Sequence, residues 1–201
     1  MNREKTTSAV NSINDSDLVR SFKEGNQIAF ERLVIKYQDR IFNLCFRFLG
    51  DRNEAEDTAQ EVFIKVYKAL KRFRSESSFY TWIYRITVNT CKNRVKSLDY
   101  RRSKKNITLD DEKDSKFTSA PYASGMDENP DQIIVKKERI KQVQNAIKDL
   151  TSDHRAVIIL RDIEGFSYEE ISEITGHKLG TVKSRLSRAR NDLRTILKGI
   201  D

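Results

Sequence analysis

YEEISEITGHKLGTVKSRLSRAR, residues 168–190, is the stretch on which the fold turns. Ser167 stands where a helix N-cap is needed, and Glu170 follows three residues later, as a capping box requires. Ile171 and Ile174 give the helix that follows a narrow apolar side. Gly176 falls where a helix takes a left-handed terminating residue, and Thr181 can cap the next helix. In that second helix Val182, Leu186 and Ala189 face inward. Lys183, Ser184, Ser187, Arg188 and Arg190 are left outside. Two short helices about a turn, the second basic on its outer face, form a helix-turn-helix able to enter a DNA major groove. An ordinary helical hairpin with a solvated basic face has the same pattern, and this segment alone leaves both readings open.

Helical spacing of apolar residues continues outward from it over most of the 201-residue chain. Residues 1–14 are polar and read as a flexible N-terminus. Asp15 or Ser16 can cap a short helix carrying Leu18, Val19 and Phe22. A longer one follows with Phe30, Leu33, Tyr37, Ile41, Leu44, Cys45 and Phe48 and ends at Gly50. Asp51 opens a third, with Glu54 completing a second capping box and Val62, Val66 and Leu70 along one side. The segment 79–98 is rich in β-branched and aromatic residues, which suits a strand. Its apolar set, Phe79, Ile83, Ile86 and Thr90, nevertheless recurs at helical spacing, so a helix is expected. Between residues 99 and 130 the periodicity collapses and both prolines appear, which marks a flexible linker. Helices are expected again at about 131–150, 152–163, 168–175 and 181–197. The fold class is therefore all-α: two small helical domains, 15–98 and 131–201, on a flexible tether.

Charged residues make up 34% of the chain and the net charge is +8, so a polyanionic partner is plausible. Cys45 and Cys91 are far apart, each in an apolar helical pattern, and read as reduced core thiols. His154 and His177 have no metal-pair spacing, no Walker or dinucleotide glycine pattern occurs, and neither metal nor cofactor is expected. No apolar run approaches the ~20 residues that span a bilayer, and the N-terminus lacks a signal-peptide hydrophobic region. The protein is expected to be cytoplasmic, without membrane insertion.

Two further surfaces carry chemistry. Between Lys71 and Lys105 cations outnumber anions heavily, interleaved with Phe73, Phe79, Tyr80, Trp82, Tyr84 and Asn89. Cations attract phosphates, aromatics stack unpaired bases, and an Asn amide bonds a base edge, a combination suited to single-stranded DNA. Several of those aromatics can equally be core, Trp82 among them. The third helix differs: Asp57, Gln60 and Glu61 share one acidic face, with Phe63 and Tyr67 nearby. A solvated surface explains it, as does a docking face for a basic protein helix.

The pieces AFERLVIKYQDRIF, EAEDTAQEVFIKVYKALKRFR, FYTWIYRITVNTCKNR and DIEGFSYEEISEITGHKLGTVKSRLSRAR resemble, in order, successive conserved regions of bacterial sigma factors. They are most similar to the extracytoplasmic-function (group IV) members of the sigma-70 family, of the RpoE-like type, which keep only regions 2 and 4. The resemblance covers about residues 15–96 and 131–197. It implies a region 2 helical bundle at 15–98, a region 4 helix-turn-helix domain at 131–201, and a non-catalytic initiation subunit of core RNA polymerase.

By that resemblance Asp57, Gln60, Glu61, Phe63 and Tyr67 dock on the polymerase β′ clamp helices, and region 4 meets the β flap. Arg72, Phe73, Arg74, Ser75, Trp82, Arg85 and Asn89 melt the −10 element and capture an unstacked base. Thr181, Lys183, Ser184, Arg185, Ser187, Arg188 and Arg190 read the −35 duplex or its phosphates. An anti-sigma factor, often membrane-anchored in the family, is an expected partner. The sequence departs from the family where Lys183 replaces a frequent Arg, where Ser187 is smaller than usual, and at Thr151, which is often Pro. Promoter preference is therefore not transferable from a relative. Competing classes are a transcription factor that binds DNA unaided and, with less support, a nuclease.

Overall fold

A computed structural model describes residues 14–105 and 130–198, with side chains described up to Arg101 and again from Glu138. The expected N-terminal tail, apart from Asn14, and most of the expected linker lie outside these residues. Among the described residues, regular structure is helical throughout.

Helix α1 (Asp15–Lys23) is capped by Asn14, whose side chain accepts from the Ser16 amide, so the cap falls one residue before the expected Asp15 or Ser16. Asp15 instead reaches α2 (Gln27–Leu49), pairing with Lys36 at 2.7 Å and accepting from the Tyr37 hydroxyl. Gly50 closes α2 at φ 71, a left-handed conformation that suits a residue without Cβ. Asp51 then accepts from the Glu54 amide at 2.9 Å to start α3 (Arg52–Leu70), but the Glu54 carboxylate faces Arg94 at 3.4 Å and does not return the bond, so the expected second capping box is half made.

The β-branched segment is helical: α4 spans Phe79–Lys105. Buried Thr87 and Thr90 return their hydroxyls to the carbonyls of Ile83 and Ile86, so their polarity is satisfied within the helix. The helix also passes the expected end at residue 98. Residues 99–105 contain neither Gly nor Pro, and losing the apolar period removes packing without removing helical propensity.

The second set comprises α5 (Pro130–Asp149), α6 (Ser152–Ile158), α7 (Tyr168–Thr175) and α8 (Leu179–Lys198). The stretch expected as one helix over 152–163 changes pitch: Ile159–Ile163 form a π-turn, with the Glu164 amide bonded to the Ile159 carbonyl. Helix α8 starts two residues ahead of Thr181. The amides of Thr181 and Val182 bond the Lys178 carbonyl, placing Thr181 inside the first turn instead of at the cap.

The two sets pack against each other through polar groups that complete one another. Gln144 donates to the carbonyls of Phe46 (3.2 Å) and Arg47 (2.8 Å) at the end of α2. Arg155, only 6% exposed, donates to the carbonyls of Phe48 (2.6 Å), Lys148 and Leu150 (3.0 Å). The carbonyls of Arg47 and Phe48, which the end of α2 leaves unpaired, are thus satisfied from the second domain, while the bonds of Arg155 to Lys148 and Leu150 stay within it. Glu164 sits between Arg47 (2.7 Å) and the Tyr84 hydroxyl (3.1 Å), and buried Phe166 stacks on Tyr80 at 5.0 Å. Burial and the neighbouring Glu164 carboxylate push the Tyr84 phenol far above its ordinary range, keeping it a donor. Cys45 and Cys91 lie in the first core with their sulfurs 3.7 Å apart and are free thiols.

Candidate nucleic-acid interface

Three surfaces gather the residues singled out above. On α3, Asp57 and Gln60 are exposed and Glu61 half-exposed, the last pairing with Lys65 at 2.7 Å and Arg94 at 3.6 Å. Phe63 does not join them. At about 100° per residue it lies about 120° from Asp57 and packs half-buried against the core. Ile64 takes its place: it falls within about 20° of Asp57 and is 55% exposed. Tyr67, 45% exposed, borders this face and meets Phe30 edge-on at 5.0 Å. Ile28, at the start of α2, is 58% exposed. The spacing 57, 60, 61, 64 was present in the sequence as the signal for Ile64. Nothing comparable pointed to Ile28.

The loop 71–78 joins α3 to α4. Phe73 turns inward, its ring 4.8 Å from Trp82 and 6.3 Å from Phe79, while Lys71, Arg72, Arg74 and Ser75 are exposed. Trp82 is half-buried, between the core and surface readings left open for it. Ser75 has φ 56, the one positive φ outside glycine among the described residues. Ser78 starts α4 by accepting from the Thr81 amide at 3.0 Å.

Clefts open on both sides of the loop. One of about 400 Å³ lies between it and α1, lined by Ser16, Val19, Phe73 and residues 75–79. Another, about 540 Å³, is lined by Arg72, Phe73, Arg74, Trp82 and Arg85. Asn89 lines a third, about 450 Å³, with Arg85 and the 172–178 turn. Phe73 and Asn89 therefore border different clefts, and Arg85 and Glu173 line both the second and the third. The Arg85 Nε donates to the Glu173 carbonyl at 2.9 Å.

The helix-turn-helix takes the expected form. Ser167 and Glu170 make both bonds of the capping box (3.1 and 2.8 Å), and Gly176 ends α7 at φ 72. Val182, Leu186 and Ala189 are buried; Lys183, Ser184, Ser187 and Arg188 are exposed on one side of α8. Lys183 lies 5.7 Å over the Tyr168 ring. Thr181 is half-exposed beside them.

Two cations expected near phosphates are engaged inside the domain. Arg190 pairs with Asp162 at 2.5 Å. Arg185 pairs with Asp153 at 2.8 Å and contacts the His177 ring. Asp153 also receives Lys92 of α4 at 2.6 Å. Burial works against its charge, but Lys92, Arg185 and His177 together hold its carboxyl below the ordinary value. Burial, then Arg185 and Lys92, depress His177 below the usual imidazole range.

Similarity to known proteins follows the same division. A family model described as Sigma-70 region 2 matches residues 33–102, and one described as Sigma-70, region 4 matches residues 140–193. The RNA polymerase sigma-H factor of Pseudomonas aeruginosa is 40% identical over 176 residues, 88% of this chain and 90% of that protein. The ECF RNA polymerase sigma-E factor of Escherichia coli is 38% identical over 178 residues, 89% of this chain and 91% of that protein. Two solved structures share the fold. CnrH in complex with the cytosolic domain of CnrY has a TM-score of 0.64 at 21% identity, covering 93% of this chain and 99% of that one. RpoE in complex with the anti-sigma factor NepR from Bartonella quintana has a TM-score of 0.64 at 24% identity, covering 84% and 96%.

Proposed function

The chain belongs to the extracytoplasmic-function group of sigma-70-family sigma factors, and we propose that it divides promoter-specific initiation among the three surfaces described above. It acts in the cytoplasm by binding alone, and the bond-forming chemistry of transcription belongs to the polymerase.

The acidic face of α3, with Asp57, Gln60, Glu61, Ile64 and Tyr67, docks on the β′ clamp helices. Carboxylates and an amide orient a basic helix there, and exposed Ile64 and Tyr67 supply the apolar contact that gives a docking surface its affinity. Phe63 supports this face from beneath. The domain of residues 131–201 meets the β flap.

Upstream, α8 lies in the major groove of the −35 element. Lys183 and Arg188 reach guanine O6 and N7, the Arg fork with the greater discrimination, and Ser184 and Ser187 complete the face. Thr181, Arg185 and Arg190 lie near phosphates. The last two first exchange or share their present carboxylates, Asp153 and Asp162.

Downstream, the domain of residues 15–98 opens the −10 element. Arg72, Arg74 and Arg85 neutralise backbone phosphates, and Trp82 supports the melted junction. A base leaving the stack costs a few kcal/mol, offset by stacking and by polar contacts in the loop. Ser75 belongs to that lining, Phe73 forms its apolar floor, and Asn89 offers an amide one turn beyond Arg85.

A separate anti-sigma factor controls the chain, a reading supported by the solved relative described in complex with one; membrane anchoring of that partner is the further expectation. The observation that carries the whole reading is the exposed α8 face of a helix-turn-helix whose first helix is capped at both ends, joined to the separate acidic face of α3. In vitro transcription with core polymerase on a promoter library tests it. Polymerase-dependent start sites sharing −10 and −35 elements are expected. Specific duplex binding without polymerase, and no promoter-directed transcripts with it, would refute the reading in favour of an independent transcription factor.

A further inference from the structure

The 71–78 loop is supported from outside the DNA-facing motifs, by the last residue of α1. Helix α1 ends on Lys23, whose ammonium donates to the Phe73 carbonyl at 2.5 Å and lies 5.8 Å from the centre of the Phe73 ring. The ammonium thus meets one residue through two of its groups, the carbonyl in a short hydrogen bond and the face of the ring. The same helix supplies Ser16 and Val19 to the wall of the cleft that the loop closes. Val19 and Phe22 are buried, so the register of α1 is set by the core and Lys23 is presented from a fixed base.

The loop needs such a tie. Its entrance is held by local turns, Arg72 to the Ala69 carbonyl and Phe73 to the Leu70 carbonyl, and its exit by the Ser78 cap. Between them Ser75 sits at φ 56, a conformation that a residue with a Cβ keeps only when its surroundings over-determine it. The Phe73 carbonyl is two residues upstream of that point, and its bond to Lys23 comes from another helix. Fixing the Phe73 peptide fixes the direction in which residues 74–77 leave it, and hence the width of the cleft against α1.

We infer that Lys23 is a positioning residue that holds the Phe73–Ser75 bend and so sets which unstacked base the loop accepts. The inference rests on the proposed −10 role of the loop. Lys23 need touch no DNA for this; it acts through the Phe73 carbonyl. Losing a charge-assisted bond at this bend is expected to change base discrimination at the captured position roughly tenfold.

The test is transcription by core polymerase reconstituted with the full chain, on promoters randomised at the −10 and, separately, the −35 element. Lys23→Met keeps the stem and removes the charge and donor, Lys23→Arg keeps both, and Ser77→Trp fills the cleft. The inference expects Lys23→Met to flatten or shift the −10 profile, with the −35 profile, Tm and polymerase affinity unchanged, and Lys23→Arg to restore it. If only Ser77→Trp moves the −10 profile, Lys23 has no such role and the loop reading stands. If neither variant moves it, the −10 reading and the inference fall together. A uniform loss on all promoters with a lowered Tm would reduce Lys23 to a structural residue and overturn the inference.

Discussion

Arg155 shows how much one side chain carries here. Its guanidinium gathers three carbonyls, from Phe48, Lys148 and Leu150, in a nearly water-free setting. Arg155→Ala leaves those acceptors unpaired, and a loss of about 3 kcal/mol is expected, read as a lower denaturant midpoint at unchanged m. Arg188 is the opposite kind of residue, exposed and structurally idle. Arg188→Ala should cost roughly 1–3 kcal/mol in −35-dependent transcription and leave Tm unchanged; an unaltered response to −35 substitutions would remove its assigned role. Ile64→Asp should weaken polymerase binding without destabilising the fold, since the side chain is 55% exposed. Residues of this exposed kind were legible from spacing, as with Asp57, Gln60 and Lys183. Arg155 was not, because its acceptor Phe48 lies in a helix about a hundred positions away and no local pattern encodes that meeting. Phe63, expected near Asp57 and Glu61, packs half-buried about 120° from Asp57, so the exposed apolar side chains bordering that face are Ile64 and Tyr67.

At the level of elements, the caps were the most readable part of the chain. Asp51, Ser167, Gly50 and Gly176 stand where helix ends demand them, and each acts as its residue type suggests. Ser167→Ala should destabilise the second domain by about 1 kcal/mol, measurable as a Tm shift. Misplaced ends have physical causes. Asn14 outcompetes Asp15 because Asp15 is drawn to Lys36 and Tyr37, and α8 starts early because Lys178 already offers its carbonyl. The turn of the helix-turn-helix adds a pH response. His177, with Arg185, Lys92 and Asp153 around it, has a depressed folded-state pKa, so the unfolded chain binds its proton first. The associated stability is complete above the unfolded value near 6.5 and is lost as pH falls through the lower folded value. Denaturation of His177→Gln between about pH 5 and 7 should show a flatter dependence than the parent; an unchanged slope would exclude this residue as its source.

The whole molecule places in contact two surfaces that a promoter keeps apart. Arg85, assigned to the −10 element, bonds the Glu173 carbonyl in the helix that precedes the −35 reader. Elements about 25 base pairs apart are separated by roughly 85 Å of duplex at 3.4 Å per pair. A chain that reads both must part its two domains, breaking the Arg47–Glu164–Tyr84 cluster and the Lys92–Asp153 pair. Glu164→Ala should raise the open fraction of the free chain about tenfold, as the loss of one half-buried pair of about 1.4 kcal/mol implies. A distance measured between probes on α4 and α8 reports it, and an unchanged distribution would show that Glu164 is not what holds the domains together. That the chain forms two helical units was readable from the loss of periodicity after residue 98. That they dock was not, since docking depends on residues such as Gln144 and Phe166 whose partners are remote in sequence.

The π-turn at Ile159–Ile163 can also be viewed as a counting device. A π-turn holds one residue more than the α-helical path it replaces, so the chain behaves as if a single residue had been inserted there. Because the widened turn absorbs that residue, deleting it from 159–163 would restore the α pitch with little rotation, whereas deleting one from the regular α-helical stretch 152–158 would rotate everything beyond it by about 100°. In the second case Glu164 and Phe166 would face away from Arg47 and Tyr80, while α7 and α8 could keep their own packing intact. The helix-turn-helix and its placement on the first domain are thus separable by one codon, and insertions or deletions in 152–158 would alter how the domains meet without touching the residues that read DNA.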